Sequence, residues 1–425
     1  MKAVIWATDE SRALARLCAV PLAKRLLQAL CSAGLRNAII VAKSDGRRLR
    51  DELGDGGDLG MRLSYCAPHQ LSEHLDGPFL VIEGNCVLDE RIIEGLAEVE
   101  GMAIAFDGHA KEGMQVIVEG GMVRGLSTSG GDGAYVGACR CAPEVLRFLD
   151  GPDLTASLAE VAGRFDFAAL DVATIEPYVA EIRRELPTLW FRIESGEDVE
   201  RCKRALVEGA QKRTLDILAW YFNRPIENWI TYHIADLPIT PNLMSILIYM
   251  VALLVAFLLL SGQLLPASLL SFAVNVMDGL DGKLARVKGM ATKLGHLEHS
   301  FDLLYEQSWY IALAWAVHRL RGDLLPLALG FVALLFDSFA RHVSMQFSQV
   351  MGVSLADYAP FDRLFRRFDG RRNIYTIYIL LGALFSVPFY ALAAIALHAF
   401  ITGAVYVVRA AKHLHDADRG IAARD

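Results

Sequence analysis

Asn275–Asp302 reads NVMDGLDGKLARVKGMATKLGHLEHSFD, and it joins one long apolar run to the next. Its acids Asp278, Asp281, Glu298 and Asp302 therefore fall in or beside candidate membrane helices, where a charge is costly unless paired, hydrated or coordinated to metal. On a helix Asp278 and Asp281, three apart, share a face that Gly282, Ala285 and Gly289 continue with almost no side chain. Glu298 and Asp302, four apart, point one way at the start of the next run. Two antiparallel helices joined by the short basic turn would bring the pairs together. Oxygen-only donors of this kind suit Mg²⁺ or Mn²⁺, and a diphosphate is the natural ligand for such a cluster. The alternative, acids that merely pair with Arg286, Lys288 and Lys293 at a wet helix end, explains the charges but not the small-residue strip.

Outward from this stretch, apolar segments of about twenty residues follow one another from Asn242 onward. Six spans are expected, near 242–261, 264–285, 297–317, 324–340, 374–386 and 388–408. The hydrophobic share of 54% and mean hydropathy of +0.33 agree with a chain partly in lipid. Arg286, Lys288 and Lys293 follow span two, Arg341 through Arg372 supply positives after span four, and Arg409 and Lys412 follow span six. The positive-inside rule then puts these loops and both termini on the cytoplasmic side of a multi-pass inner membrane protein. Ahead of the spans, Lys212–Asp236 mixes Trp220, Tyr221, Phe222, Trp229 and Tyr232 with charges, as an interfacial amphipathic helix would; a plain interdomain helix is the other reading.

The first half differs. Lys2–Trp6, 21–33, 37–42 and Phe79–Glu83 alternate strand and helix patterns, the rhythm of a three-layer α/β domain, with Gly-rich loops at Gly54–Gly60 and Ser127–Gly133. Met1–Ala7 reads as a strand rather than a signal peptide, so this half is expected to stay in the cytoplasm. All seven cysteines lie here, odd in number and scattered, and Cys139-x-Cys141 lacks zinc-ligand spacing; reduced thiols are expected. A net charge of −7 gives no basic excess, and no nucleic-acid partner is expected.

At Asp278-Gly-Leu-Asp281-Gly282-Lys-Leu-Ala285-Arg286, followed at the family distance by Gly295, the chain resembles the CDP-alcohol phosphotransferase (CDP-alcohol phosphatidyltransferase) family. The family's last two aspartates would fall strictly at His299 and Leu303; a one-residue shift aligns Glu298 and Asp302 and preserves four acids. Thr240-Pro241-Asn242 matches the element that opens the first span. Asn223-Arg-Pro-Ile226 and Gly370-Arg371-Arg372-Asn373 resemble a subgroup in which an inositol phosphate cytidylyltransferase is fused to a di-inositol phosphate phosphate synthase.

The resemblance implies a transferase that moves a phospho-alcohol, of phosphatidyl or phosphoinositol type, from a CDP-alcohol to an acceptor hydroxyl with release of CMP. It implies Mg²⁺ or Mn²⁺ on Asp278, Asp281, Glu298 and Asp302, with Asp302 as the base. Asn242, Gly282, Ala285, Arg286, Gly295, Arg371 and Arg372 are the implied substrate-binding positions. Inositol phosphate or a lipid is the implied acceptor, membrane lipids are the surroundings, and a homodimer is compatible. The implied fold is a nucleotidyltransferase-like (Rossmann-like) α/β domain over 1–206, an interfacial linker helix over 207–240, an all-α six-helix transmembrane bundle over 241–412 and a cytoplasmic tail over 413–425.

In the same fusions the first domain has a glycine-rich phosphate loop and metal-binding acids. Here the loop reads Ala7-Thr-Asp-Glu-Ser11 without glycine, Asn85 stands where an aspartate is expected, and Arg192 where another acid is. A non-catalytic first domain is the favoured reading. A bifunctional enzyme that also makes its CDP-alcohol from CTP, and an inactive membrane scaffold, remain open. Glu194, Glu197 and Asp198 read as a helix N-terminus.

Overall fold

Successive side chains of a strand point to opposite faces, so a strand that is apolar throughout must be covered on both sides. The strand Lys2–Trp6 (β1) meets this condition: Ala3 and Ile5 pack into one buried cluster, Val4 and Trp6 into another. The computed structural model describes residues 1–43, 46–180, 182–213, 216–292, 295 and 297–420. Lys293, counted above among the positive residues of a loop, lies outside them. The chain divides into two compact units: Met1–Lys212 with Ala235–Pro238 and Arg286–Met290, and Arg213–Ile234 with Ile239–Ala285 and Ala291–Asp425.

In the first unit a mixed sheet is built from β1 with Asn37–Val41 (β2), Arg62–Cys66 (β3), Phe79–Glu83 (β4), Met102–Asp107 (β5), Gln115–Glu119 (β6), Met122–Ser127 (β7), Gly133–Cys141 (β8) and Phe167–Asp171 (β9). Their order is β3-β2-β1-β4-β8-β5-β9-β7-β6. The β3-β2-β1-β4 half is parallel, and β8 runs antiparallel to both β4 and β5. Helices Leu22–Ser32 (α1) and Glu90–Glu98 (α2) cover one face through Leu26, Leu30, Ile92 and Leu96. Leu154–Val161 (α3) covers the other through Leu154, Leu158 and Val161. This is the expected three-layer α/β fold. Gly196–Gly209 (α4) starts at Ser195, whose hydroxyl caps Asp198 N–H while Asp198 returns the bond, so the acids there do form a helix N-terminus. All seven cysteines are free thiols.

The second unit is helical: Arg224–Ile234 (α5), Pro241–Leu260 (α6), Leu264–Met277 (α7), Leu280–Lys288 (α8), Glu298–Arg321 (α9), Leu325–Met351 (α10), Arg372–Leu384 (α11) and Pro388–Asp418 (α12). Thr240 accepts the Leu243 N–H (3.2 Å) and Pro241 occupies the first turn, the combination that starts a helix without an orphaned donor. On α6 Leu243, Ile246, Leu247, Met250, Leu253 and Phe257 are exposed, while Met244, Ile248, Ala252 and Val255 are buried, so an apolar face looks outward.

The expected count of six spans is not confirmed. Helices occupy all six places, but among the described residues four, Pro241–Leu260, Leu264–Lys288, Leu325–Met351 and Pro388–Asp418, are long and apolar enough to cross a membrane. Helix α9 has the length but carries Glu298, Asp302, Glu306, Arg319 and Arg321, and α11 has 13 residues. At a rise of about 1.5 Å per residue the latter spans roughly 20 Å, short of a hydrocarbon core. Helix α10 runs on to Met351, past the expected end near 340, because Asp337 and Arg341 pair on the helix itself (3.0 Å).

Gly137 has φ +89° where the pairing of β8 with β5 shifts register, and an added Cβ would run into the Cys86 sulfur. Gly137→Ala is expected to destabilise the α/β unit by about 2 kcal/mol. That lowers its melting midpoint by roughly 4–8 °C; an unchanged midpoint in a thermal scan would show that the bulge relaxes freely.

Candidate active site

The break between α7 and α8 at Asp278 and Gly279 sets the site. The helical turn Ala219–Asn223 and helix α5 after it turn a polar stripe inward, Asn223, Glu227 and Thr231, and an aromatic face outward with Tyr221, Phe222 and Trp229 exposed. Asn223 donates to the Asn275 carbonyl (3.2 Å), and buried Lys283 donates to Glu227 (3.0 Å) and to Asn228 Oδ1 (2.7 Å). A Cβ on residue 279 would come within 2.9 Å of the Glu227 carboxylate, so glycine allows α5 to close on the break. These contacts fix the turn on which the first two acids stand.

Asp281 accepts the Ser245 hydroxyl (2.6 Å) on one oxygen and the Gly282 N–H (2.7 Å) on the other. Asp278 accepts Tyr305 OH (2.8 Å) and Arg372 Nη1 (3.1 Å) on Oδ1, and Arg372 Nη2 (2.6 Å) on Oδ2. Asp302 lies 3.5 Å from His299. Tyr249 on α6 donates to the Glu298 carbonyl (3.3 Å), and its phenol lies within the electrostatic influence of Asp278, Asp281, Glu298 and Asp302 together. Glu298 and Asp278 act likewise on Asp281, and Asp278 on Asp302. Hydrogen bonds from Tyr305 to Asp278 and from Tyr249 to the Glu298 carbonyl thus join α9 to the helix break and to α6.

Among the described residues no three His, Cys, Asp or Glu side chains stand close enough together to cage a cation. The donor set nevertheless has the chemistry a hard divalent ion takes. It consists of carboxylate oxygens from adjoining helices, and Asp281 retains acceptor capacity beyond its two hydrogen bonds.

Of the other expected positions, Gly282 and Ala285 are half-buried on α8, and Asn242 is exposed one turn before Ser245. Gly295 is exposed and turns its N–H back to Thr292. Arg286 donates from Nε to the Ala210 carbonyl (2.7 Å). Arg371 is engaged by Asp369 (3.1 Å) and Tyr406 OH (3.5 Å), whereas its neighbour Arg372 reaches the acids. Sequence reasoning missed Ser245, Tyr249, Tyr305 and Glu306. Glu306 could have been found: it continues the four-residue spacing of Glu298 and Asp302, and it is buried against Arg341 and Arg372, the latter at 3.1 Å.

The first unit has its own cavity of about 180 Å³, lined by Trp6, Thr8, Asp9, Glu83, Asn85 and Arg192 among others. The loop after β1 is closed on itself. Asp9 caps Glu10–Ala13, and Trp6 Nε1 and Thr8 Oγ1 both donate to the Pro152 carbonyl (3.1 and 2.6 Å). Arg192, on the short strand Trp190–Arg192, pairs with buried Glu83 (2.6 Å) and donates to Thr155 (2.9 Å), whose hydroxyl donates to Glu83. Asn85 donates to the Ile193 carbonyl (3.3 Å). Arg192, which stands where an acid is expected, is thus held in an ion pair with Glu83.

A membrane-associated helical unit with carboxylates clustered at a helix break, following an α/β unit, is thus the class defined by fold and site. Residues 238–353 match the family described as CDP-alcohol phosphatidyltransferase, so the helical half carries a domain of that type. Two relatives, each a "Bifunctional IPC transferase and DIPP synthase", are similar to part of the chain. The one from Thermococcus kodakarensis is 28% identical over 129 residues (30% of this chain, 29% of that one), and the one from Aquifex aeolicus 30% identical over 127 residues (29% of each). The chain therefore spans less than a third of the length of the curated relatives it matches. Solved structures with similarity include the inositol-1-phosphate CTP transferase from T. maritima, with TM-score 0.38, 14% identity and coverage of 48% of this chain and 96% of that one. A UDP-glucose pyrophosphorylase has TM-score 0.37, 13% identity and coverage of 49% and 98%.

Burial pushes the Glu83 carboxyl above its ordinary 4.5, against the pull of Arg192 and the Thr155 hydroxyl. The folded unit then binds more protons than the unfolded chain above pH 4.5, so Glu83 costs stability as pH rises through its raised value. Without Arg192 that window widens. Arg192→Met is expected to lose thermal stability more steeply than wild type between about pH 5 and 8; parallel pH profiles would contradict the pairing. In the helical unit, Lys283→Met leaves Glu227 buried and uncompensated, at a cost of about 3–5 kcal/mol. Glu227→Gln/Lys283→Met should recover most of that loss in a double-mutant cycle on thermal stability, and additive losses would argue against the pair.

Proposed function

We propose that this chain is an integral membrane transferase that moves a phospho-alcohol from a CDP-alcohol to an acceptor hydroxyl, releasing CMP. The observation that carries the reading is the Tyr305–Asp278 hydrogen bond, which joins α9 to the helix break and so links the helices that bear the four motif carboxylates, within the stretch that matches the CDP-alcohol phosphatidyltransferase family. Asp278, Asp281 and Glu298 would hold one or two Mg²⁺ or Mn²⁺ ions, which supply charge neutralisation for the diphosphate. Asp302 removes the acceptor proton. The acceptor oxygen attacks the phosphorus distal to cytidine, the bond from that phosphorus to the oxygen of CMP breaks, and CMP leaves. Gly282 and Ala285 give cytidine room beside the backbone. Arg286 serves the cytidine phosphate, Arg371 and Arg372 an anionic acceptor, and Asn242 and Gly295 the walls of the site.

The relatives' names favour a phosphoinositol-type group over a phosphatidyl one for the unit transferred. The first unit, over 1–206, is a scaffold without nucleotidyl transfer, a reading supported by the Arg192–Glu83 pair and by Asn85. The exposed aromatic face of α5 suits the bilayer interface, and the basic loops and both units' polar ends belong on the cytoplasmic side of the inner membrane. Two copies associate through the helical unit.

Purified protein supplied with a panel of CDP-alcohols, acceptors and Mg²⁺ or Mn²⁺ should release CMP. Asp278→Asn and Asp302→Asn should each lower that release by about 10²-fold or more; equal release from all three proteins removes the catalytic reading. With CTP and phospho-alcohols the wild type should release no pyrophosphate, and release above background would make the first unit an enzyme.

A further inference from the structure

The link between α10 and α11 turns acids inward and aromatic rings outward, the reverse of a segment made to face water. It holds two short helices, Leu355–Tyr358 and Pro360–Phe365, the second prolonged by a turn through Phe368. Buried Asp362 accepts Arg409 on both oxygens (2.6 and 3.0 Å), with His413 at 2.7 Å. Buried Asp369 is held by Arg366 (3.0 Å), Arg371 (3.1 Å) and the Tyr406 hydroxyl (2.5 Å), and the Gly370 N–H donates to Thr402 (2.8 Å). Thr402, Tyr406, Arg409 and His413 all belong to α12, so the link is pinned along that helix by its polar side. Phe361, Leu364 and Phe368, three and four residues apart and therefore on one face, are left about half exposed. Val353 and Val350, also exposed, carry this apolar strip back to the last turn of α10. Arg363, half-buried, and Arg367, exposed, stand four apart on one flank of it, while Asp357 is the one acid between residues 351 and 371 that is not fully buried.

We propose that this link is an interfacial anchor that docks on a bilayer leaflet rich in anionic phospholipid, with its apolar strip among the first acyl carbons and Arg363 and Arg367 on headgroup phosphates. Three features select this occupant. Helix α10 is long and apolar enough to cross a membrane and exposes Phe331 and Leu335, so a strip that begins at Val350 continues a lipid-facing surface past the end of the helix. The arginines on its flank complement phosphate, whose geometry the guanidinium fork matches, and anionic leaflets attract basic residues placed at a membrane end. Phe361 is backed by the Arg409 guanidinium, 4.8 Å from its ring centre, and stacks on Phe365, so the ring is ordered before it meets lipid and loses little freedom on docking. The inference rests on the membrane reading of the helical unit and is independent of its catalysis.

The test uses the full-length protein in vesicles of phosphatidylcholine and phosphatidylglycerol brominated on shallow or on deep acyl carbons. Phe361→Trp and Phe368→Trp each add an emitter on the strip, read as the difference from wild type with its six native tryptophans. At both positions the added emission should be lost more to shallow than to deep bromine. In zwitterionic detergent, short-chain phosphatidylglycerol should shift the emission of Phe368→Trp, and adding Arg363→Gln/Arg367→Gln should raise the apparent Kd about five-fold or more. Emission that no bromine quenches, in protein that stays in the vesicles through an alkaline wash, overturns the anchor; release by that wash overturns the membrane reading with it. Quenching that appears only after dilution to one chain per vesicle assigns the strip to a second copy and overturns the proposal. An unchanged Kd in the arginine variant overturns the anionic preference and the proposal with it.

Discussion

Carboxylates beside a hydrocarbon layer must be compensated, and the second unit is organised around how each of its acids meets that demand. Glu227 is answered by Lys283, Glu306 by Arg341 and Arg372, Asp337 by Arg341, and Asp362 by Arg409. Apart from Asp337–Arg341, which lies within α10, these pairs join separate segments of the chain, so the same electrostatics that make the acids expensive also tie the unit together. At the helix break Asp278 is held by Arg372, and Asp281 by the Ser245 hydroxyl and the Gly282 N–H.

The first unit has the opposite character. Its sheet is covered on both faces by aliphatic side chains, its cysteines are reduced, and its one buried carboxylate near the cavity is matched by an arginine. A loop that donates its hydrogen bonds to Pro152 and caps its own short helix has little left to offer a triphosphate. The stability of this unit lies in its apolar layers.

Much of this was legible in the sequence, because the signals were local. Short apolar runs located β1, β2 and β4, the acids Glu194, Glu197 and Asp198 marked a helix start, and Thr240-Pro241 marked another. The glycine-less loop and Arg192 point to an altered cavity from the sequence alone. Contacts between distant residues were not legible. Nothing near residue 372 says that its guanidinium reaches Asp278, 94 positions earlier, while Arg371 turns to Asp369. The number of spans was hard to read for a related reason. Composition alone marks an apolar run, but the charges of α9 and the 13 residues of α11 take their meaning from the helices packed beside them.

The central claim is that acids from two adjoining helices act on one ion and one diphosphate. Its most direct test is a double-mutant cycle on CMP release with Asp281→Asn and Glu298→Gln. If both serve one ion, the double variant should lose scarcely more activity than the worse single variant, because the second change removes a ligand from a site already lost. Losses that multiply would mean that the two carboxylates work independently, and the shared site would be contradicted.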